Sequence, residues 1–521
     1  MGALSAMMHR RTFLQTGAAA CLASCAKTPT ITGSVIGANH TQGHRLRDLK
    51  SAPQPTRTIN TDVVIAGGGM SGLIAALRLQ QAGVEDITVI DLESEPGGNA
   101  RCGTNAISSY PWGAHYVPVP GDEATEVRRL FEELGVITGH DAAGRPIYDD
   151  THLCADQQER LFIRGLWQDG LGPTIGVSNS EREEMNRFTA RMNELKQSRG
   201  RDGRRPFCIP VDASSRDSEW LALDAMTMEA WMEREGFRCE PLRWYVNYCC
   251  RDDYGAGIAQ VSAWAGLHYF ASRDDNDVLT WPEGNGWIVK RIMEKLRGVK
   301  FQQAVVYRMT EADGSVLVDG LTSSGEEAIR FQARAAVCAM PRFVAQRVVA
   351  GLVPLPDLNY SPWMVANMNW LGEPPPAWDN VFRESASLGY VVATHQLLHP
   401  FPHNSVLTYY QPLDHMLPPQ ARQEALDKLW ASWRDQVLAD LRPAHPDVME
   451  RVSHLDVMLW GHGMIRPVPG FISGASRKSM LEPMGRIAFA HTDMSGISIF
   501  EEACTRGAEA AQTVLRMIGH A

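Results

Sequence analysis

The 521-residue sequence predicts an α/β protein, in which a Rossmann-like (doubly wound) sheet is interleaved with a second, α+β domain. Three observations point there. Residues 61–91, TDVVIAGGGMSGLIAALRLQQAGVEDITVID, read strand, glycine turn, helix, strand. A strand, polar turn and helix recur at the far end, in GRIAFAHTDMSGISIFEEACTRGAEAAQTVL. Between them, 137–279 has mostly helical periodicity and 360–413 alternates as strands do.

The chain opens with HRRTFLQTGAAACLASC, residues 9–25. Arg10 and Arg11, followed by Phe13, Leu14 and an apolar run, resemble a twin-arginine export signal. The run is too short to cross a bilayer, which takes about 20 apolar residues. Leu22-Ala23-Ser24-Cys25 resembles a lipoprotein cleavage box with Cys25 lipidated. The signal, 1–25, implies a protein exported folded around a cofactor and held on the periplasmic side of a bacterial membrane by a lipid anchor. Residues 26–59 lack hydrophobic periodicity and read as a linker, a tether to the folded body.

Composition bounds the rest. With 44% hydrophobic and 21% charged residues, the body is globular, and no other segment is apolar enough to span a membrane. A net charge of -10 argues against nucleic acid as a partner and mildly favours cationic substrates. The 10 cysteines show no metal-ligand spacing; Cys21 and Cys25 belong to the signal, and the others, including adjacent Cys249 and Cys250, read mostly as buried small apolar residues.

In the first unit, Gly67, Gly69 and Gly72 form G-x-G-x-x-G after the strand at 63–66 and before a helix at 73–82. Gly67 permits the tight turn, Gly69 lets backbone approach a pyrophosphate, and Gly72 lets helix pack on strand. The helix N-terminus, with Met70 and Ser71, offers free amides to the phosphates. Asp91, ending the second strand, is placed to accept from ribose hydroxyls. A second glycine turn follows, Pro96-Gly97-Gly98, and then Asn99-Ala100-Arg101.

Here the sequence resembles the flavin-containing amine oxidase family, whose first β-α-β unit runs into a Pro-Gly-Gly segment around the flavin. Gly98 and Arg101 fall in that segment; Gly113, Ala114 and His115 in PWGAHYVPVP match the flavin-facing loop. The C-terminal stretch matches the segment closing over the cofactor, with Asp493 near the acid position and the amides near Ile499 available to a phosphate; His491 departs from the family's glycine. Val306 falls near the adenine. The resemblance implies an FAD-binding domain at 60–136, 280–345 and 456–521, and a substrate domain at 137–279 and 346–455. It also implies FAD held non-covalently, since no family-style cysteine loop is present, and no separate NAD(P)H domain.

The implied reaction is hydride transfer from an amine, with polyamines within the class, to the flavin. Many family members keep a lysine near the flavin, yet no lysine occurs between Lys300 and Lys428. That favours a quinone or redox protein over oxygen as acceptor. MLWGHGMIRPVPG resembles the strand that brings an aromatic to the flavin, making Trp460 and His462 the catalytic candidates, with Arg466 behind. Trp244, Tyr245 and Trp264 read as packing for a helical cap, and Asp252-Asp253 as a turn cap that also suits a cationic amine. The same scaffold serves desaturases and porphyrinogen oxidases, and a flavin-stabilised binding lipoprotein is the non-enzymatic alternative.

Overall fold

The computed structural model describes residues 30–520 except 38–39, 50, 274–276, 324, 326, 357 and 398–402. The expected signal, with Arg10, Arg11 and Cys25, lies outside the described residues.

The first sheet runs Ile487–Phe489, Ala328–Cys338, Arg57–Ala66, Ile87–Asp91 and the start of Lys300–Ala312, all parallel. Ser315–Thr322 pairs antiparallel with the strands before and after it, closing a β-meander at one end. Val63, Val64, Ile65 and Ala66 are all buried, as a parallel strand covered on both faces requires. On one face lie helices Met70–Gln81 and Phe500–Ile518, sharing a core of Leu73, Ile74, Cys504 and Ala511.

The second sheet has seven strands, in the order Val452–Ile465, Tyr360–Leu371, Asn404–Pro412, Tyr390–Val392, Asp379–Phe382, Glu159–Ile163, Leu166–Asp169. Only Asp379–Phe382 and Glu159–Ile163 are parallel neighbours. Alternation divides its faces: Met364, Ala366 and Met368 pack with Trp433 and Val437, whereas Trp363 and Val365 face a cavity. A layer containing helices Asn179–Gln197, Glu240–Tyr254 and Ala263–Ala271 closes that cavity from the other side.

Several sequence expectations change. The mostly helical stretch 137–279 also supplies the hairpin Glu159–Ile163/Leu166–Asp169, whose apolar residues extend the second sheet. The boundary at 456 falls inside strand Val452–Ile465, which pairs with Tyr360–Leu371 along most of its length. The amphipathic pattern of ARQEALDKLWASWRDQVLADL, 421–441, reads as one helix, but the structure has two, Pro418–Asp427 and Trp430–Leu441. Lys428 and Leu429 are extended between them, letting Ala421, Ala425, Trp433 and Val437 all reach the same sheet face.

The tether reading also fails for its described part. The Ile36 amide donates to Val457 O (2.7 Å) and the Leu455 amide to Thr32 O (2.8 Å), so residues 32–36 add a parallel edge to Val452–Ile465. An open sheet edge offers unpaired amides and carbonyls to such a segment. Ile31 is buried, helix His40–Asp48 follows, and the first strand begins at Arg57. No helix among the described residues is long and apolar enough to cross a membrane. Cys249 and Cys250 are free and buried.

Candidate functional site

The glycine turn is shaped by close approach. Gly67 has φ +114°, and a Cβ there would lie 2.7 Å from Ala339 O. A Cβ on Gly72 would lie 2.0 Å from Gly67 O, so helix and turn meet as the motif requires. Gly69 differs: its Cβ would meet nothing nearer than Gly98 Cα at 3.9 Å. The first helical bond is Leu73 N to Gly69 O (3.0 Å) and no side chain caps the end, leaving the amides of Met70, Ser71 and Gly72 for a ligand. Open space beside free amides at a helix N-terminus fits the pyrophosphate of FAD.

Asp91 ties this turn to the next. Its carboxylate accepts from the amides of Gly68 (2.5 Å) and Glu93 (2.8 Å), while Gly97 N donates to Gly68 O (2.8 Å). Burial holds the Asp91 carboxyl above the usual range, and each oxygen keeps a lone pair for a ribose hydroxyl. Val306 is buried within the sheet, three residues beyond Gln303, which pairs with Asp91. Arg101 pairs with Glu93 (3.2 Å) and lies 5.4 Å over the Trp460 ring. Gly113 packs on the Asn99 turn, where Ala114 N donates to Asn99 O (2.8 Å).

Beyond this turn opens a cavity of about 1040 Å³ of empty volume, part of it open to solvent. It is bounded by Gly113, Ala114 and His115, by Ser498, Ile499 and Phe500, by Trp363, Tyr410 and Trp460 of the second sheet, and by Tyr248, Asp252 and Asp253 of helix Glu240–Tyr254. His115 stacks on Tyr410 (4.5 Å), and burial holds its imidazole neutral, down to about 4. The Trp460 indole donates to Trp112 O (2.7 Å), which fixes its plane.

Acid dominates the walls. Asp253 pairs with Arg273 at 2.7 Å. Burial, then the neighbouring Asp253, hold the Asp252 carboxyl above the usual carboxylate range, and the Tyr116 hydroxyl donates to it at 3.3 Å. Burial also raises Asp379, and raises Glu501 to about 7. Glu501 is 2% exposed and its Oε2 has no hydrogen-bond partner. Arg273 is the one cationic side chain lining the cavity among the described residues.

The structure does not bring His462 into this cavity. It stacks on Phe343 (4.1 Å): the register breaks between Trp363↔Trp460 and Ser361↔Met464, so 461–463 lie opposite one residue and His462 is turned away from the cavity. Arg466 is a packing residue, bonded to Ser361 Oγ (2.6 Å) and Gly255 O (3.3 Å). Asp493 does not line the cavity either: it accepts from Arg342 N (2.7 Å) and the Tyr360 hydroxyl (2.6 Å), and His491 lies 3.1 Å from its other oxygen. Ile499 lines the cavity, but Glu501 and Glu502 put two buried carboxyls in the first turn after it. A phosphate is therefore better served at Gly69 than at Ile499.

The Asp252-Asp253 pair is no turn cap; both lie in the last turn of a buried helix. Glu501, Asp379, Arg273 and Tyr410 went unread in the sequence. Only Glu501 carried a signal, as an acid on the helix stripe of Cys504, Ala508 and Ala511.

Residues 65–134 match the family described as NAD(P)-binding Rossmann-like domain. Over 122 residues the chain is 33% identical to an FAD-binding monooxygenase of Hypomyces subiculosus, covering 22% of this chain and 18% of the relative. The chain thus spans under a fifth of that relative's length. Among solved structures, a putrescine oxidase variant superposes with TM-score 0.64 at 16% identity, covering 88% of this chain and 100% of that one. Cyclohexylamine oxidase from Brevibacterium oxydans gives 0.63 at 17%, covering 88% and 99%. A putative protoporphyrinogen oxidase from Exiguobacterium sp. gives 0.59 at 14%, covering 89% and 99%. The chain has the fold of these proteins, a Rossmann-like domain interleaved with an α+β domain.

Proposed function

We propose that the protein is an exported FAD-dependent oxidoreductase that oxidises an amine at the carbon beside nitrogen. The observation that carries this reading is the charge of the cavity: among the described residues, Asp252, Asp253, Asp379 and Glu501 line it against one cation, Arg273. Met70, Ser71 and Gly72 would hold the pyrophosphate, Asp91 the ribose, and Gly98, Arg101, Gly113 and His115 the flavin end. Bound there, FAD supplies a two-electron acceptor for hydride.

The chain's own groups do the rest. Trp363, Tyr410 and Trp460 exclude water and attract an ammonium group, each by about 0.5–2 kcal/mol. Glu501, held near 7, is matched to take the ammonium proton and leave a nitrogen lone pair. Neutral His115 keeps Tyr410 against the wall.

A quinone or redox protein is the proposed acceptor. Among the described residues no lysine lines the cavity, Lys290 pairs with Glu283 (3.1 Å), and Arg273 is neutralised by Asp253. Charge developing on oxygen would find little positive support. Arg10, Arg11 and Cys25 support export and a lipid anchor on the periplasmic side.

The porphyrinogen-oxidase neighbour favours a second reading, an apolar tetrapyrrole or polyene substrate. Burying several carboxyls against such a molecule costs too much for that to be preferred. Anaerobic mixing of the yellow protein with amines, porphyrinogens and polyenes separates these. Bleaching by amines supports the proposal, bleaching only by the others replaces it, and none at all leaves a binding lipoprotein.

A further inference from the structure

We infer that one face of the second sheet, built by residues 31–35 and the helices Pro418–Asp427 and Trp430–Leu441, lies on a lipid bilayer. The inference rests on the anchor reading of Cys25 above.

Apolar side chains are exposed here where the local rules ask for polar ones. Among the described residues nine large hydrophobic side chains are exposed, and Val35, Leu417, Leu426 and Leu429 are four of them. Leu429 is 74% exposed and Leu417 68%. Each is the N-cap of its helix, and neither caps it with a side-chain hydrogen bond. Serine, threonine, aspartate or asparagine would stabilise both positions, and an exposed leucine gains nothing from the fold. A rule broken twice without a gain inside the chain points to a surface outside it.

The contacts place these residues along one edge. Val452–Ile465 is the outermost strand of its sheet, and residues 32–36 extend it. Ile31 packs in the cluster of Trp433 and Val437, whereas Ile36 packs on the opposite face with Trp363 and Val365, so alternation turns Val35 to the helix side. A Cβ on Gly33 would lie 3.0 Å from Trp430 Nε1, which donates to Leu455 O at 2.9 Å. Leu429 therefore adjoins the residue that covers the added edge. Arg422 Nη1 donates to Gly461 O at 3.4 Å on the same outermost strand, and Leu426 lies one turn further along that side of the helix. Arg434 lies 5.0 Å over the Trp430 ring. An indole among exposed leucines, beneath a guanidinium, suits the headgroup level of a bilayer. From Leu417 to Asp435 the cations Arg422, Lys428 and Arg434 balance the acids Glu424, Asp427 and Asp435, so the contact is apolar rather than electrostatic.

Chain length identifies the occupant. Thr30, the first described residue, is five residues after Cys25, which reaches at most about 18 Å. Two residues later Thr32 bridges His454 on this edge. A lipid on Cys25 would hold this edge of the sheet at the membrane, not the far one. Each leucine buried in lipid would favour docking by roughly 10- to 100-fold, too little for free protein and enough once the anchor keeps the face near.

The test places an environment-sensitive dye at Ser432→Cys, an exposed position beside Trp430, or at Leu166→Cys. Leu166 is 60% exposed on the opposite edge of the same sheet, roughly 30 Å away. The full chain, purified with its lipid, is put into vesicles of phosphatidylethanolamine and phosphatidylglycerol, and the unsubstituted chain treated alike gives the background. The dye at 432 should be quenched by nitroxide-bearing lipid and shielded from iodide, and the dye at 166 should show the reverse. Leu429→Asp supplies a favoured N-cap, keeps the fold, and should lower the docked-to-free ratio read at 432 by roughly 10- to 100-fold. Equal quenching at 432 and 166, or a signal at 432 that Leu429→Asp leaves unchanged, overturns the inference. Shielding of 432 in the absence of vesicles also overturns it and assigns the face to a protein partner. If mass spectrometry finds no lipid on Cys25, the anchor reading falls separately. A histidine tag in place of residues 1–25 then holds the chain on nickel-chelating vesicles, where the same comparison upholds or overturns the face.

Discussion

Replacing Gly69 by alanine separates a ligand's space from a structural contact. Gly69 has φ -70° and ψ 178°, which alanine adopts freely. The added methyl would find only Gly98 Cα, 3.9 Å away, so the apoprotein should fold with a loss of at most about 1 kcal/mol, from the poorer helix cap. The pyrophosphate, however, must approach the amides of Met70, Ser71 and Gly72 across that same space. Losing one charged hydrogen bond at about 1.5–3 kcal/mol raises the FAD dissociation constant roughly 10- to 100-fold. Gly72→Ala is the contrasting case. Its methyl would sit 2.0 Å from Gly67 O, and overpacking of about 1–3 kcal/mol or more should lower the melting temperature of the apoprotein itself. The assay is flavin fluorescence titration of each apoprotein, with thermal melts alongside. Wild-type FAD affinity in Gly69→Ala would refute the placement of the pyrophosphate.

Glu501 makes stability depend on pH with a definite sign. Its carboxyl ionises near 4.5 when free and near 7 when folded, so between those values the folded state holds a proton that the unfolded chain has lost. Stability should therefore fall as pH rises through that window, by up to roughly 3 kcal/mol, and Glu501→Gln should flatten the trend in melts at pH 5 and 8; parallel slopes would count against it. Ile36→Pro removes the amide that donates to Val457 O at 2.7 Å and should cost about 1–3 kcal/mol in denaturant unfolding, whereas an unaltered midpoint would deny residues 32–36 their place on the sheet. Changing Arg10 and Arg11 to lysine should retain a folded yellow precursor in the cytoplasm, and Cys25→Ser should release the mature protein from the membrane fraction. A Cys25→Ser protein that stays membrane-bound would remove the lipid anchor.

What could be read from the sequence was local. Gly67, Gly69, Gly72 and Asp91 lie within one β-α-β unit, where spacing alone fixes strand, turn and helix, and the structure keeps that order. The cavity acids were not legible in the same way. Asp252, Asp379 and Glu501 come from a helix end, a short strand and another helix start, and only the tertiary fold brings them to one cavity. His462 was misplaced because an irregular register turns a strand residue to the opposite side, which alternation cannot foresee. Residues 32–36 looked like a tether because so short an edge strand borrows its stability from the sheet it joins. The break at Lys428 was hidden because the residues around it are good helix formers, and the sheet face they must reach decides the turn.

The most direct test of the central claim is the visible spectrum of the purified chain, followed by acid precipitation. The account predicts a yellow protein that carries one FAD per chain and releases it to the acid supernatant. A colourless protein that takes up no added FAD, or a flavin that stays with the acid precipitate, would contradict it.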